Sequence, residues 1–202
     1  MIEQYQRDTD PEFIKQLIED IGLNARRTSG LSRSERRHKS KQAVVDWVNS
    51  WDTEWDLACC WHVSERLRDI QCGNDAAWLQ RQLSAYFNKL HQHVFSRVPY
   101  SQRPQLPRFI TLEYSHSVGW HAHGIMATPA HMTREQFSAV MRKQWLKHAG
   151  WGCAEEFKER MFWAEPIKGA YTHYALKSAI NLHDDAQQYF RGFIDLNNTH
   201  RP

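Results

Sequence analysis

A predicted β-hairpin between Arg108 and Thr128 carries one glutamate and two histidines whose types and spacing suit metal chemistry. His121 and His123 are two residues apart, and side chains in a strand alternate between faces, so both imidazoles point the same way. If the hairpin is symmetric about Ser117, Glu113 lies opposite His121 on that face. Two imidazoles and a carboxylate can bind a divalent cation and leave coordination positions open for substrate. The alternative is that the histidines are ordinary surface residues of an exposed strand. Glu113 argues against this alternative, because a buried or half-buried carboxylate is rare without a partner.

A second cluster lies in the last predicted helix, which begins at Gly169. Tyr174 and Lys177 are three residues apart and therefore share one face, and Tyr171 lies one turn earlier. In one interpretation the tyrosines pack against the core while Lys177 extends its ammonium group to solvent. In the other, a tyrosine beside a lysine is a nucleophile whose ionisation the cation favours. The histidine pair upstream favours the second interpretation.

These motifs, taken in order, resemble those of the HUH endonucleases, in the branch of single-tyrosine initiators of rolling-circle replication. That family carries His-hydrophobic-His on a sheet strand, which matches His121 to His123. A further ligand often lies on the preceding strand, as Glu113 does here. A later helix carries Tyr-x-x-Lys, which matches Tyr174 to Lys177.

Two further segments bear on the resemblance, which covers about residues 55 to 182. A strand ending in a Pro-Ile-like dipeptide often precedes the tyrosine helix, as Pro166-Ile167 does here. The family's first motif is a hydrophobic strand that usually bears Thr. Leu57–Val63 (LACCWHV) occupies that place but lacks the Thr, so this part of the match is weak.

The resemblance implies sequence-specific nicking and rejoining of single-stranded DNA, initiating rolling-circle replication of a plasmid or phage. Tyr174 is the implied nucleophile, with Lys177 beside it and Tyr171 as a second candidate tyrosine, and the product is a 5′-phosphotyrosine. Glu113, His121 and His123 are the implied ligands of Mg²⁺ or Mn²⁺. The implied partners are an origin in hairpin form and a host helicase, because the chain has no Gly-x-x-x-x-Gly-Lys-[Ser/Thr] loop of its own.

Other classes of protein fit the motifs less well. Relaxases of the same superfamily carry the tyrosine before the histidines, and single-tyrosine transposases are generally shorter. A metal hydrolase with His-x-His would need a (β/α)₈ barrel or a cupin, whose strands this chain lacks. A non-catalytic DNA-binding module would use the tryptophans and arginines for stacking and phosphate contacts.

Positive charge is concentrated locally, although the net charge of the chain is only +3. Between residues 26 and 41, seven cations accompany one acid, Glu35. This segment is either a mobile connector or a phosphate-contacting arm. With two arginines of the proline-containing loop 97–108, the candidate nucleic-acid contacts are Arg26, Arg27, Arg33, Arg36, Arg37, Lys39, Lys41, Arg103 and Arg108.

Compartment is indicated by the cysteines and by the N-terminus. The four cysteines form no Cys-x-x-Cys pair and no framework, which indicates a reducing environment. The N-terminal segment MIEQYQRDTD is too polar for a signal peptide, and no apolar run approaches the ~18 residues of a membrane span. We therefore expect a cytoplasmic protein.

Hydrophobic periodicity predicts an α+β fold with an antiparallel sheet of split β-α-β, ferredoxin-like type. Helices should cover one face of this sheet and leave the other face free for a site. An N-terminal helical extension should precede the sheet domain. We expect that extension in residues 1–50 and the endonuclease domain in 51–202. His91 and His93 fall on a predicted helix, about 200° apart around its axis, so they cannot chelate one ion together. The predicted elements are a helix after Asp10, a helix carrying Val44, Trp47 and Val48, the strand Leu57–Val63, a helix capped by Asn74, the hairpin, a helix after Thr133, the strand Met161–Ile167 and the final helix, with no element predicted after Asp184.

Overall fold

The computed structural model describes residues 32–67, 75–150, 152–168, 171, 175, 191–195 and 197–200. The predicted helix after Asp10 lies outside these residues. Three long helices are α1 (Arg33–Asn49), α2 (Ala76–Val94) and α3 (Arg134–Ala149), and single helical turns occupy Glu65–Leu67, Tyr100–Gln102, Glu155–Phe157 and Lys158–Met161. The strands are β1 (Leu57–Trp61), β2 (Arg108–Ser115), β3 (Gly119–Met126), β4 (Phe162–Pro166) and β5 (Arg191–Ile194).

The five strands form one antiparallel sheet in the order β4-β1-β3-β2-β5, which confirms the predicted α+β fold class. β4 is an edge strand that ends at Pro166, as expected for a residue that cannot donate to a ladder. β5 was not predicted. Its four residues are too few to show a reliable alternation, and its pairing with β2 is a long-range contact.

One face of the sheet, called here the helix face, packs against α2 and α3. Alternate strand residues, among them Trp61, Ile110 and Leu112, point into this core. The apolar stripe of α2 that faces the sheet is buried and consists of Leu79, Leu83, Tyr86, Phe87, Leu90 and Val94. This helix begins at the N-cap Asp75, whose carboxylate accepts a hydrogen bond from the Ala77 amide at 2.9 Å, one residue after the predicted cap.

The opposite face, called here the site face, is partly covered by α1. Val44, Val45 and Val48 pack against Phe109 and Ile125 at one end of the sheet. α1 therefore lies on the face that was predicted to be free for a site, and it covers one end of that face. These residues of α1, which precede residue 50, share a core with the sheet, which follows it. The proposed domain boundary at residue 50 stays a prediction.

Helix α1 begins inside the basic segment. Ser32 and Glu35 form a capping box: the Ser32 hydroxyl accepts from the Glu35 amide at 3.3 Å, and the Ser32 amide donates to the Glu35 carboxylate at 2.7 Å. Residues 33–41 are thus helical, and both interpretations of the basic segment stay predictions. No helix among the described residues is both long enough and apolar enough to span a membrane.

Gly124 allows a close approach at the centre of the sheet. A Cβ at this position would lie 2.7 Å from the Phe109 carbonyl oxygen and 2.6 Å from Ile110 Cδ1. The backbone oxygen cannot move aside, so we expect Gly124→Ala to lower the free energy of unfolding by about 2 kcal/mol or more. Urea denaturation followed by circular dichroism measures this change. Ser101→Ala, at an exposed site, is the control and should change stability little, and equal stability of the two variants would contradict the predicted clash.

Candidate metal centre

The hairpin β2–β3 brings the three predicted ligands together. Glu113 pairs with His121, and Thr111 pairs with His123, so the predicted symmetry about Ser117 is confirmed. The turn closes at Gly119, whose φ of +68° lies in the left-handed region that favours glycine. The alternation of the two strands then places all three ligands on the site face.

The geometry of the three side chains fits a single divalent ion. Glu113, His121 and His123 are 4%, 5% and 4% exposed, and one ligand atom from each lies within 4.8 Å of the others. His123 Nε2 is 3.5 Å from Glu113 Oε2. Ligand atoms about 2.1 Å from a shared ion lie roughly 3 to 3.5 Å apart when they are neighbours around it. The buried triad can therefore hold a metal ion, and its nitrogen and oxygen donors suit a borderline-to-hard cation.

A backbone contact orients one of the imidazoles. His121 Nδ1 lies 3.0 Å from the Gly119 carbonyl oxygen. A carbonyl can only accept, so Nδ1 carries the proton and donates it, which leaves the lone pair on Nε2. This is the arrangement that metal-binding histidines generally show, with the second nitrogen held by a carbonyl or a carboxylate.

Two neighbours of the triad, one on β1 and one directly after it, were not predicted as part of the site. Cys60 pairs with His123 across β1–β3. His62 stacks on His121 with ring centroids 5.0 Å apart, and its Nε2 lies 3.0 Å from Cys60 Sγ. Burial, reinforced by the nearby His121, lowers the pKa of His62 to about 4, so this ring is neutral at neutral pH. The period-two spacing of Cys60 and His62 was the available signal, but the register of β1 on β3 was needed to use it.

The tyrosine segment is described at two positions, Tyr171 and Ala175. The Tyr171 hydroxyl donates a hydrogen bond to the Cys59 carbonyl oxygen, 3.3 Å away, and the tyrosine ring lies edge-on to Trp163. The carbonyl of Ala175 accepts a 2.8 Å hydrogen bond from Thr111 Oγ1. Both positions therefore lie against the site face. Tyr174 and Lys177 lie outside the described residues.

The predicted nucleic-acid contact at Arg108 was wrong. This side chain is 6% exposed and belongs to the helix face, where its guanidinium donates to the carbonyls of Asn198 and Leu106 and lies over the Phe87 ring. Arg108 is two residues before Ile110 in the same strand, so the alternation that buries Ile110 also buries Arg108.

The other predicted nucleic-acid contacts remain predictions. Arg103 is half-buried and donates to the Val98 carbonyl at 3.0 Å. Lys39 is exposed and Lys41 half-buried on α1. Arg33, Arg36 and Arg37 are helical, and nothing is described of their side chains, while Arg26 and Arg27 lie outside the described residues.

The second histidine pair, His91 and His93, does not form a metal site with its neighbours. Among the described residues, the triad is the only group of three His, Cys, Asp or Glu side chains close enough to hold an ion. His91 Nε2 instead lies 2.9 Å from the Pro104 carbonyl. Cys59 and Cys153 are free thiols, and Cys60 Sγ lies beside His62.

No protein-family model matches this chain, and neither does any curated protein or solved structure. Inference about its function therefore starts from the residues of the site themselves.

Proposed function

We propose that this protein is a metal-dependent single-stranded DNA nickase of HUH type, which initiates rolling-circle replication of a plasmid or phage. The observation that carries the proposal is the buried triad of Glu113, His121 and His123 on two paired strands. Three protein ligands leave coordination positions for a phosphate oxygen, which is what a phosphoryl-transfer centre needs.

The position of Ala175 supports Tyr174 as the nucleophile. The Thr111 hydroxyl ties the Ala175 carbonyl to the sheet, and Thr111 is the cross-strand partner of His123. Tyr174 directly precedes Ala175 in the sequence, and consecutive Cα atoms are about 3.8 Å apart. The candidate nucleophile therefore belongs to a segment anchored beside one of the metal ligands.

The contacts of Tyr171 support a packing role for this second candidate tyrosine. Its hydroxyl is engaged with the Cys59 carbonyl, and its ring contacts Trp163 on the edge strand β4. A hydroxyl that donates to a backbone carbonyl is turned towards the sheet and away from a substrate phosphate. We therefore assign the attack to Tyr174 alone.

The proposed reaction is a transesterification. The Tyr174 oxygen attacks the scissile phosphorus, the tyrosine proton leaves, and the bond from phosphorus to the 3′ oxygen breaks, giving a 5′-phosphotyrosine and a 3′-hydroxyl after protonation. A phenol ionises with a pKa of about 10, so the cationic Lys177 three residues away would favour the reactive phenolate. A bound Mg²⁺ or Mn²⁺ would polarise the phosphate, and two imidazole ligands favour Mn²⁺.

One assay separates this proposal from a non-catalytic binding module. The purified chain is incubated with end-labelled single-stranded DNA libraries that contain hairpins, with and without Mn²⁺, and resolved under denaturing conditions. A metal-dependent protein–DNA adduct supports the nickase. Binding without any adduct across the library would favour the binding module, and a chain that nicks DNA without an adduct would favour a hydrolytic nuclease. The DNA sequence that is preferred in the adduct would identify the origin. A host helicase is the further partner that we expect.

The basic start of α1 should strengthen binding of single-stranded DNA by releasing counterions. The test replaces four cations by glutamine, namely Arg33, Arg36, Arg37 and Lys39. The helix should be preserved, and the slope of log affinity against log salt concentration should become shallower by up to about 3. Fluorescence anisotropy over a salt series measures this slope. Lysine at the three arginines retains the charge and should retain the slope, and a slope unchanged in the glutamine variant would show that the helix start does not contact DNA.

A further inference from the structure

A polar groove lies between α2 and α3, on the solvent side of the helix layer. Its volume is about 480 Å³, and it is lined by Lys89 and His93 from α2, Lys147 and His148 from α3, and three neutral polar residues. None of the lining residues is acidic. Lysine ammonium groups can only donate hydrogen bonds, so the lining favours an anionic ligand.

The two helices α2 and α3 carry more net positive charge than the whole chain. α2 contains no acid and α3 contains only Glu135, so together they carry a net charge of +5, against +3 for the chain. These two helices are therefore a second basic region of the chain, besides residues 26–41. Such a concentration raises the local density of polyanions.

His148 links the two sides of the groove. His148 is half-buried, and the backbone of Gln82 on α2 is a hydrogen-bond partner of its ring. Burial lowers the pKa of this imidazole, and the positive charge of Lys89 on the neighbouring helix lowers it further. The lysine of one helix is thus close enough to the histidine of the other to act on it across the groove.

We propose that this groove binds the phosphodiester backbone of a DNA segment separate from the one at the metal centre. The lining residues of α2 run from Lys89 to His93, about 6 Å along the axis, and Ser96 extends the lining beyond the end of the helix, so the groove is longer than a single phosphate group. Donors face each other across the groove, so a phosphate chain between the helices meets a cation on either side. The triad points to the opposite face of the sheet, so the sheet and the helix layer separate the two sites.

The test compares two double variants that each remove two positive charges from the same helices. Lys89→Ala with Lys147→Ala removes the lysines of the groove. Arg81→Ala with Lys143→Ala removes two exposed cations that do not line it. Affinity for a labelled duplex of arbitrary sequence is measured by fluorescence anisotropy over a salt series in EDTA, so that the metal centre and its chemistry are not involved.

We expect the groove variant to lose about tenfold in affinity and its salt slope to fall by nearly 2, because each phosphate contact contributes about 0.9 to the slope. The control should retain the slope of the original chain. An equal loss in both variants, or none in either, would overturn the proposal. Displacement of the duplex from the groove by millimolar inorganic phosphate, with the salt slope unchanged, would instead assign the groove to a free phosphate group. Because the readout is binding without metal, the result is independent of whether the chain nicks DNA.

Discussion

Replacement of Tyr174 by phenylalanine should abolish formation of the covalent protein–DNA adduct, a loss of more than about a thousandfold in rate. The change removes only the oxygen that attacks phosphorus, so stability and DNA affinity should change little. Trapping with labelled DNA in Mn²⁺, followed by denaturing electrophoresis, measures the adduct. Mass spectrometry of the linked peptide identifies the residue.

Tyr171→Phe is the matched control, because it removes the same atom one turn away. Its hydroxyl donates to the Cys59 carbonyl, so this variant should lose about 1 kcal/mol of stability while it keeps most of its activity. An adduct that survives Tyr174→Phe and maps to Tyr171 would reverse the assignment. Lys177→Ala should slow cleavage, with part of the loss recovered at higher pH if the ammonium group helps to ionise the phenol.

The double variant His121→Ala, His123→Ala should lose both metal binding and cleavage. It removes two of the three donors of the triad, so we expect Mn²⁺ affinity to fall by more than about a hundredfold. Isothermal titration calorimetry measures the binding directly, whether or not the DNA substrate is known. Circular dichroism checks that the sheet remains folded.

The chain offers a matched control in a second pair of histidines at the same spacing. His91→Ala with His93→Ala removes two imidazoles from α2, where they do not share an ion. This control should retain Mn²⁺ affinity. If it lost as much as the strand variant, or if the strand variant still bound one equivalent of Mn²⁺ with unchanged affinity, the ion would lie elsewhere.

Local pattern was enough to predict the hairpin and the triad that could hold a metal ion. The period of two put His121 and His123 on one face, and a short turn around Ser117 left one register in which Glu113 lies opposite His121. The buried stripe of α2 followed in the same way from a period near 3.6. These features depend on residues close in sequence, so composition and spacing determined them.

Long-range pairing decided the rest. β5 exists because four residues of the C-terminal segment pair with β2, and the sequence of that segment carries no strong alternation of its own. Cys60 and His62 lie beside the triad only because of the register of β1 on β3, strands that are far apart in the chain. Helix α1 covers the site face because Phe109 and Ile125 offer it an apolar surface there. Since each contact joins distant segments, its energy depends on the assembled sheet, and only the tertiary structure could decide it.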